Sequence, residues 1–250
     1  MHRIELLLVV GAFLMAAGIA TPAVYQANAE KARKENANNL KQLGLACHNI
    51  HDAYARMPLT VGSTFGNKTG TLHYHLLPYI EEQAAYKAGD LTANVPTMRN
   101  PADRSIPDGG VYKKTWATTN YAANWLVFQG GPRAGKHARI PVSFPDGTSN
   151  TLLFAERYQR CNGTPCLWGY NELYYWAPVF AYYSQAKFQI NPAQQDCNPA
   201  LAQSVFRDGI YVGFADGSVR MLSKNIGPLT WALVCHPADG QALPADFIDR

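Results

Sequence analysis

The sequence predicts an α+β fold in which one long N-terminal helix packs on an antiparallel β-sheet head carrying irregular insertions. Three observations predict it. An apolar run gives way to a stretch of helical periodicity between Leu6 and Tyr54, Asp-Gly pairs punctuate the remaining chain, and short apolar or alternating runs lie between those pairs.

The helix comes first. From Leu6 to Ala29 there is no charged residue, and Leu6 to Val10 and Ala12 to Met15 are apolar on every face. At 1.5 Å per residue, roughly 20 such residues cross a bilayer core. A cleavable signal peptide is the alternative, because Ala27-Asn28-Ala29 has the small-x-small form of a cleavage site. Glu5 sits at the edge of the apolar run, where an acidic group is costly and calls for a partner. Pro22 removes a backbone donor and is expected to loosen or kink the helix at the membrane boundary. Beyond it, Ala29, Ala32, Asn36, Leu40, Leu43, Cys47, Ile50 and Tyr54 recur every three or four residues, which predicts one face packed on a globular head. Residues 1–28 are thus expected to be the transmembrane half of the helix, and 29–250 the head, with a helix over 29–55 and β-rich structure over 56–250.

A head of this size can build a real core. The net charge of +4 is spread thinly, without the dense Lys/Arg runs of a nucleic-acid surface, so no nucleic-acid partner is expected. Charged residues make up only 16% of the chain while Tyr numbers 14, a mix that suits a β-rich extracytoplasmic domain.

Within the head, Pro78 to Tyr86 reads as a short helix with proline in its first turn. Asn120 to Phe128 and Asn150 to Tyr158 read as strands, the second half-buried by its alternation. The clearest hairpin runs from Ile210 to Ala215 and from Ser218 to Leu222, joined by the two residues Asp216-Gly217. Cys161 to Phe206 is long, aromatic and irregular, and reads as an insertion.

Two resemblances lie on these residues. Ile4-Glu5-Leu6-Leu7-Leu8-Val9-Val10 with Gly18-Ile19-Ala20-Thr21-Pro22-Ala23-Val24-Tyr25 resembles the N-terminus of type IV pilins and type II secretion pseudopilins, with His2-Arg3 departing from that pattern. Asn39 to Asp52, Leu76 to Glu81, Pro101-Ala102-Asp103, Thr119-Asn120-Tyr121, Asp146 to Glu156 and Phe214 to Arg220 look like a domain-of-unknown-function family with a prepilin-type N-terminus, abundant in planctomycete bacteria. The resemblance implies a pilin-like fold and a single-pass inner-membrane protein with a periplasmic or extracellular head. It further implies assembly with copies of itself or other pilin-like subunits, with Glu5 and Pro22 as the assembly residues.

Chemistry is sparse. Cys161 and Cys166 enclose a turn-like segment that a small disulfide loop suits. Asp146, Glu156, Asp208 and Asp216 are the carboxylates to nominate for calcium, Asp208 and Asp216 first, although no Asp-x-Asp-x-Asp cluster accompanies them. Cys47-His48, His51, His73-x-His75 and Cys235-His236 lack strong zinc spacing. Ser149 and Ser218 lie outside any Gly-x-Ser-x-Gly elbow, and no Gly-rich loop is followed by Lys-Ser/Thr. Glu156, following four apolar residues, reads as a buried structural carboxylate paired with Arg157 or Arg220. The expectation is a non-enzymatic pilin-like subunit with no cofactor. The alternative is an anchored or secreted module binding through the aromatic insertion between Trp168 and Phe188.

Overall fold

The computed structural model describes residues 2–106, 109–129, 137–182 and 186–247, with side chains from residue 24 onward. Helix α1 runs unbroken from His2–Tyr54. Asn36, Asn39, Leu40, Leu43, Ala46, Cys47 and Ile50 are buried, the three-and-four spacing that seats one face of a helix on a core. Residues 24–31 are exposed all round. The stripe is therefore shorter than its periodicity suggests, since Ala29 and Tyr54 at its two ends both face solvent. The side chains of Glu5 and Pro22 lie outside the described residues. Among the described residues no helix is long and apolar enough to cross a membrane.

After α1 come α2 (Leu72–Leu76), capped by the Thr71 hydroxyl, and α3 (Gln83–Ala88). A 3-10 turn at Leu77–Tyr79 holds Pro78, so the single helix expected over 78–86 is two pieces. The head is built on a five-stranded sheet of β1 (Tyr121–Asn124), β2 (Leu152–Glu156), β3 (Val179–Phe180), β4 (Gly209–Phe214) and β5 (Val219–Ser223). Its order is β5-β4-β2-β1-β3, antiparallel throughout except for the parallel edge pair β1 with β3. The strand expected over 120–128 stops at Asn124. There the side chain accepts from Leu126 N and starts a four-residue helix, α4 (Trp125–Phe128).

All five residues of β2 are buried, where alternation suggested half. Both faces of the sheet are covered. Tyr121, Ala123, Leu153 and Phe154 join the α1 core, whereas Ala122, Leu152, Ala155, Val212 and Phe214 join a second core closed by α5 (Pro228–Cys235). In that second core Trp231 of α5 meets the rings of Phe180 and Phe188. A register shift at Gly213/Phe214 places the neighbours Leu153 and Phe154 in the same core.

The last hairpin carries three loop residues rather than two. Phe214 N donates to Ser218 O, Gly217 N donates back to Phe214 O, and Gly217 takes φ +76°, the left-handed position such a loop needs. The turn docks on α1, where Lys41 Nζ donates to Gly217 O at 2.6 Å. A Cβ at Gly44 would lie 3.8 Å from Gly217 Cα, so helix and turn meet across glycines.

The disulfide also differs from expectation, since Cys161 bonds Cys197 and leaves Cys166 buried and free. Asn162 and Gly163 both take positive φ and form a tight hairpin turn pairing Cys161 with Thr164. Cys166 therefore stands beside Gln159, to whose carbonyl it donates. It is a diagonal neighbour of Cys161, roughly 7 Å away and too far for a bridge that needs Cβ atoms about 3.8 Å apart.

Candidate functional site: the joint between helix and head

The strongest concentration of buried polar chemistry lies where α1 enters the head. Glu156, at the end of β2, is 1% exposed. Its Oε1 accepts from Asn36 Nδ2 of α1 and from Asn100 Nδ2, both at 2.8 Å. Its Oε2 accepts from Ser204 Oγ and Tyr211 N, again at 2.8 Å. One carboxyl thus joins the helix, the 100 and 204 loops and strand β4. The expected arginine partners are absent from it. Arg157 instead donates to the carbonyls of Tyr175, Ala177 and Val179, anchoring the insertion, while Arg220 lies 3.7 Å from Asp216. Burial pushes the Glu156 carboxyl up to about 8, with the hydrogen bonds from Tyr211, Ser204 and Asn36 pulling the other way.

The network spreads through amides. Tyr121 Oη donates to Asn36 Oδ1, and Asn39 Nδ2 donates to Arg99 O. Asn120 accepts from Asn100 N and Gln159 Nε2 and donates to Asp103 and to Arg157 O. Asn36 on the periodic stripe of α1 and Glu156 closing an apolar strand are the signals in the sequence from which this joint could be found. Asn100, Asn120 and Ser204 carried none that periodicity detects.

On the solvent side of the joint, Arg33 clamps Asp208 with two hydrogen bonds of 3.0 Å and stacks 4.6 Å over the Phe206 ring. Burial raises the Asp208 carboxyl, but Arg33, the residue's own backbone and Lys224 outweigh it and hold it below the usual range. Asp216 sits at the far end of β4 and caps Ser218 N. Eight residues of extended chain, roughly 26 Å, separate Asp208 from Asp216, so the two cannot share a calcium ion. Among the described residues no group of three or more His, Cys, Asp or Glu side chains is placed to hold a metal.

A groove of about 760 Å³ follows the root of α1, with Tyr25, Asn28 and Arg33 on one wall and Arg104, Phe206 and Arg207 on the other. The aromatic insertion divides between two roles. Trp168, Phe180 and Phe188 are core residues, whereas Trp116, Tyr170, Trp176, Tyr174 and Tyr175 form, in that order, a chain of ring contacts 5.5 to 6.0 Å apart whose last two rings, Tyr174 and Tyr175, are exposed.

Residues 26–110 match a family model described as a protein of unknown function, DUF1559. The match runs from the exposed part of α1 to the loop before β1. It covers Asn36, Asn39, Asn100 and Asp103 of the joint, but not Glu156. No curated protein and no solved structure gives a significant match.

Proposed function

We propose that this protein is a non-enzymatic, pilin-like subunit, held in the inner membrane by the first half of α1 and carrying its head in the periplasm or outside the cell. The observation that supports this reading is the geometry of α1. It is one helix from His2 to Tyr54, yet its buried stripe begins at Asn36. Some 30 residues ahead of the first half-buried position, Ala32, make a rod about 45 Å long, enough to cross a bilayer with length to spare. The joint fits the same role, because a stalk that bears load needs a fixed attachment and Glu156 supplies one that spans five segments. The groove beside Tyr25 and Phe206 offers a neighbouring stalk a partly apolar seat. In a bundle of such stalks Glu5 would neutralise a neighbour's terminal amine.

The test is Glu5→Leu. In a lone anchor the change removes an unfavourable group, and membrane insertion is unchanged or stronger. In a bundle it strands a buried ammonium at a cost of roughly 3–5 kcal/mol. In vivo crosslinking with membrane fractionation is expected to show oligomers in the wild type and membrane-bound monomer in Glu5→Leu. Equal ladders in both would overturn assembly and leave the anchored module. That second reading draws on the exposed Tyr174 ring chain, and Tyr174→Ala tests it by loss of surface-polymer binding without loss of membrane attachment.

A further inference from the structure

At the opposite end of α1 from its projecting half, a cleft of about 330 Å³ opens between the last helical turn, the ribbon at Ser63–Phe65, and the segment from α2 to α3. Its walls are the rings of Tyr54, Phe65, Tyr79 and Tyr86, with His75 and Gln83 between them. The size and the mixture of flat apolar walls with a few polar tips are those of a small-molecule site. We propose that this cleft binds a single neutral, hydroxylated ring, a pyranose sugar unit either free or at the end of a glycan.

The chemistry of the lining selects that class. His75 Nε2 lies 2.8 Å from Ser63 O, a carbonyl that can only accept, so Nε2 carries the hydrogen. Nδ1 is then a lone-pair acceptor with no hydrogen-bond partner among the described residues, on a ring that is 3% exposed and lines the cleft. Burial lowers the His75 pKa, so the ring is neutral and the acceptor persists at neutral pH. A ligand must bring a donor to it. The phenols of Tyr54 and Tyr79 and the amide of Gln83 both donate and accept, which suits hydroxyl groups arrayed around a ring. The aromatic walls suit its flat C–H faces.

Charge excludes the other classes. No carboxylate lines the cleft to hold a cation. Arg56 and Lys68 lie 5.0 and 5.1 Å over the Phe65 and Tyr86 rings and would repel one. Nor do they serve an anion in the cleft, because neither is among the side chains that line it, and Lys68 Nζ already bonds Tyr86 O, Lys87 O and Tyr74 Oη. What remains is a neutral partner.

The inference does not depend on membrane assembly. The test is saturation-transfer NMR on the full chain in a detergent without sugar headgroups. The probes are glucose, galactose, mannose and N-acetylglucosamine at millimolar concentration, with phenol as the aromatic control and a glucose oligomer to separate a free unit from a chain end. Transfer to at least one sugar is expected, roughly tenfold weaker binding in Tyr79→Ala and roughly threefold weaker in Gln83→Ala, whose exposed side chain leaves the fold intact. Tyr174→Ala is expected to bind like wild type. Transfer to phenol but to no sugar, transfer to nothing, or binding that both cleft variants keep and Tyr174→Ala loses would each overturn the proposal.

Discussion

Glu156 shows how one residue sets the pH response of the fold. Its folded pKa of about 8 lies above the usual glutamate value near 4.3, so as pH rises through that window the unfolded chain releases a proton that the folded chain keeps. Stability falls with rising pH. His73 acts in the opposite sense, because burial among apolar groups depresses it to about 4 and its contribution is lost as pH falls from about 6.5. Burial lowers His75 in the same sense as His73, so below pH 6.5 the two histidines oppose Glu156. Just above it Glu156 sets the slope, until the buried thiols of Cys47, Cys166 and Cys235, which burial pushes up, add to the loss as pH approaches the usual thiol range near 8.5. Thermal unfolding is therefore expected to show a lower Tm at pH 7.5 than at pH 6.5, a window below the usual thiol range, and Glu156→Gln to abolish that difference. The same variant turns an amide toward a donor it cannot satisfy, so at pH 6.5 it is expected to cost about 1–3 kcal/mol. A pH slope preserved in Glu156→Gln would show that the carboxyl is ionised in the fold. A second residue-scale expectation concerns Cys197, whose bond to Cys161 closes a separation of 36 residues. Loop-closure entropy puts Cys197→Ser at about 4 kcal/mol of lost stability. Non-reducing peptide mapping is expected to join 161 to 197, with 166 as a free thiol.

At the scale of elements, the contact between α1 and the last hairpin rests on backbone conformation. Gly217 sits at φ +76°, with His48 Nε2 and Lys41 Nζ each 3.6 Å from where a Cβ would be. Gly217→Ala is expected to cost about 1–2 kcal/mol through left-handed strain alone, measured by denaturant midpoint, and Lys41→Ala less. This hairpin was legible in the sequence because two apolar runs flanked Asp-Gly, although its loop has three residues. The packed half of α1 was legible for a similar reason, since period alone identifies a buried face. Other elements were not. Alternation fails in β2 because α1 and α5 cover both faces, so Leu152 to Glu156 are all buried and the pattern that marks a half-exposed strand vanishes. Helix α5, with Pro228 in its first turn and an almost wholly apolar body, is not legible from periodicity because it lacks a polar face to mark the period. Cys166 is the nearest cysteine to Cys161 in sequence, yet the positive φ angles of Asn162-Gly163 fix a register that keeps the two apart. The joint was half legible, because Asn36 and Glu156 stood out as polar residues on apolar faces while their loop partners did not. The sugar cleft was illegible, since its rings come from four separate segments.

At the scale of the whole molecule, the arrangement separates a rod from a head, and the boundary between them is physical. Residues 24–31 make no buried contact, Ala32 and Arg33 are half-buried, and Asn36 is the first residue sealed inside. Among the described side chains, removing residues 1–28 therefore deletes none that is buried and breaks no hydrogen bond of the Glu156 network. It leaves Arg33 paired with Asp208 and stacked on Phe206 as the outermost clasp on the helix. Because the clasp is partly exposed, it is worth about 1 kcal/mol at most. The shortened chain is expected to be monodisperse without detergent on size exclusion and to unfold within about 0.5 kcal/mol of the full chain. Adding Arg33→Ala to it is expected to lower stability by no more than the clasp is worth, whereas adding Asn36→Ala, which leaves a buried carboxyl short of a donor, is expected to cost about 1–3 kcal/mol. Aggregation of the shortened chain alongside a monodisperse full chain would move the boundary toward the N-terminus and make part of the rod a member of the head.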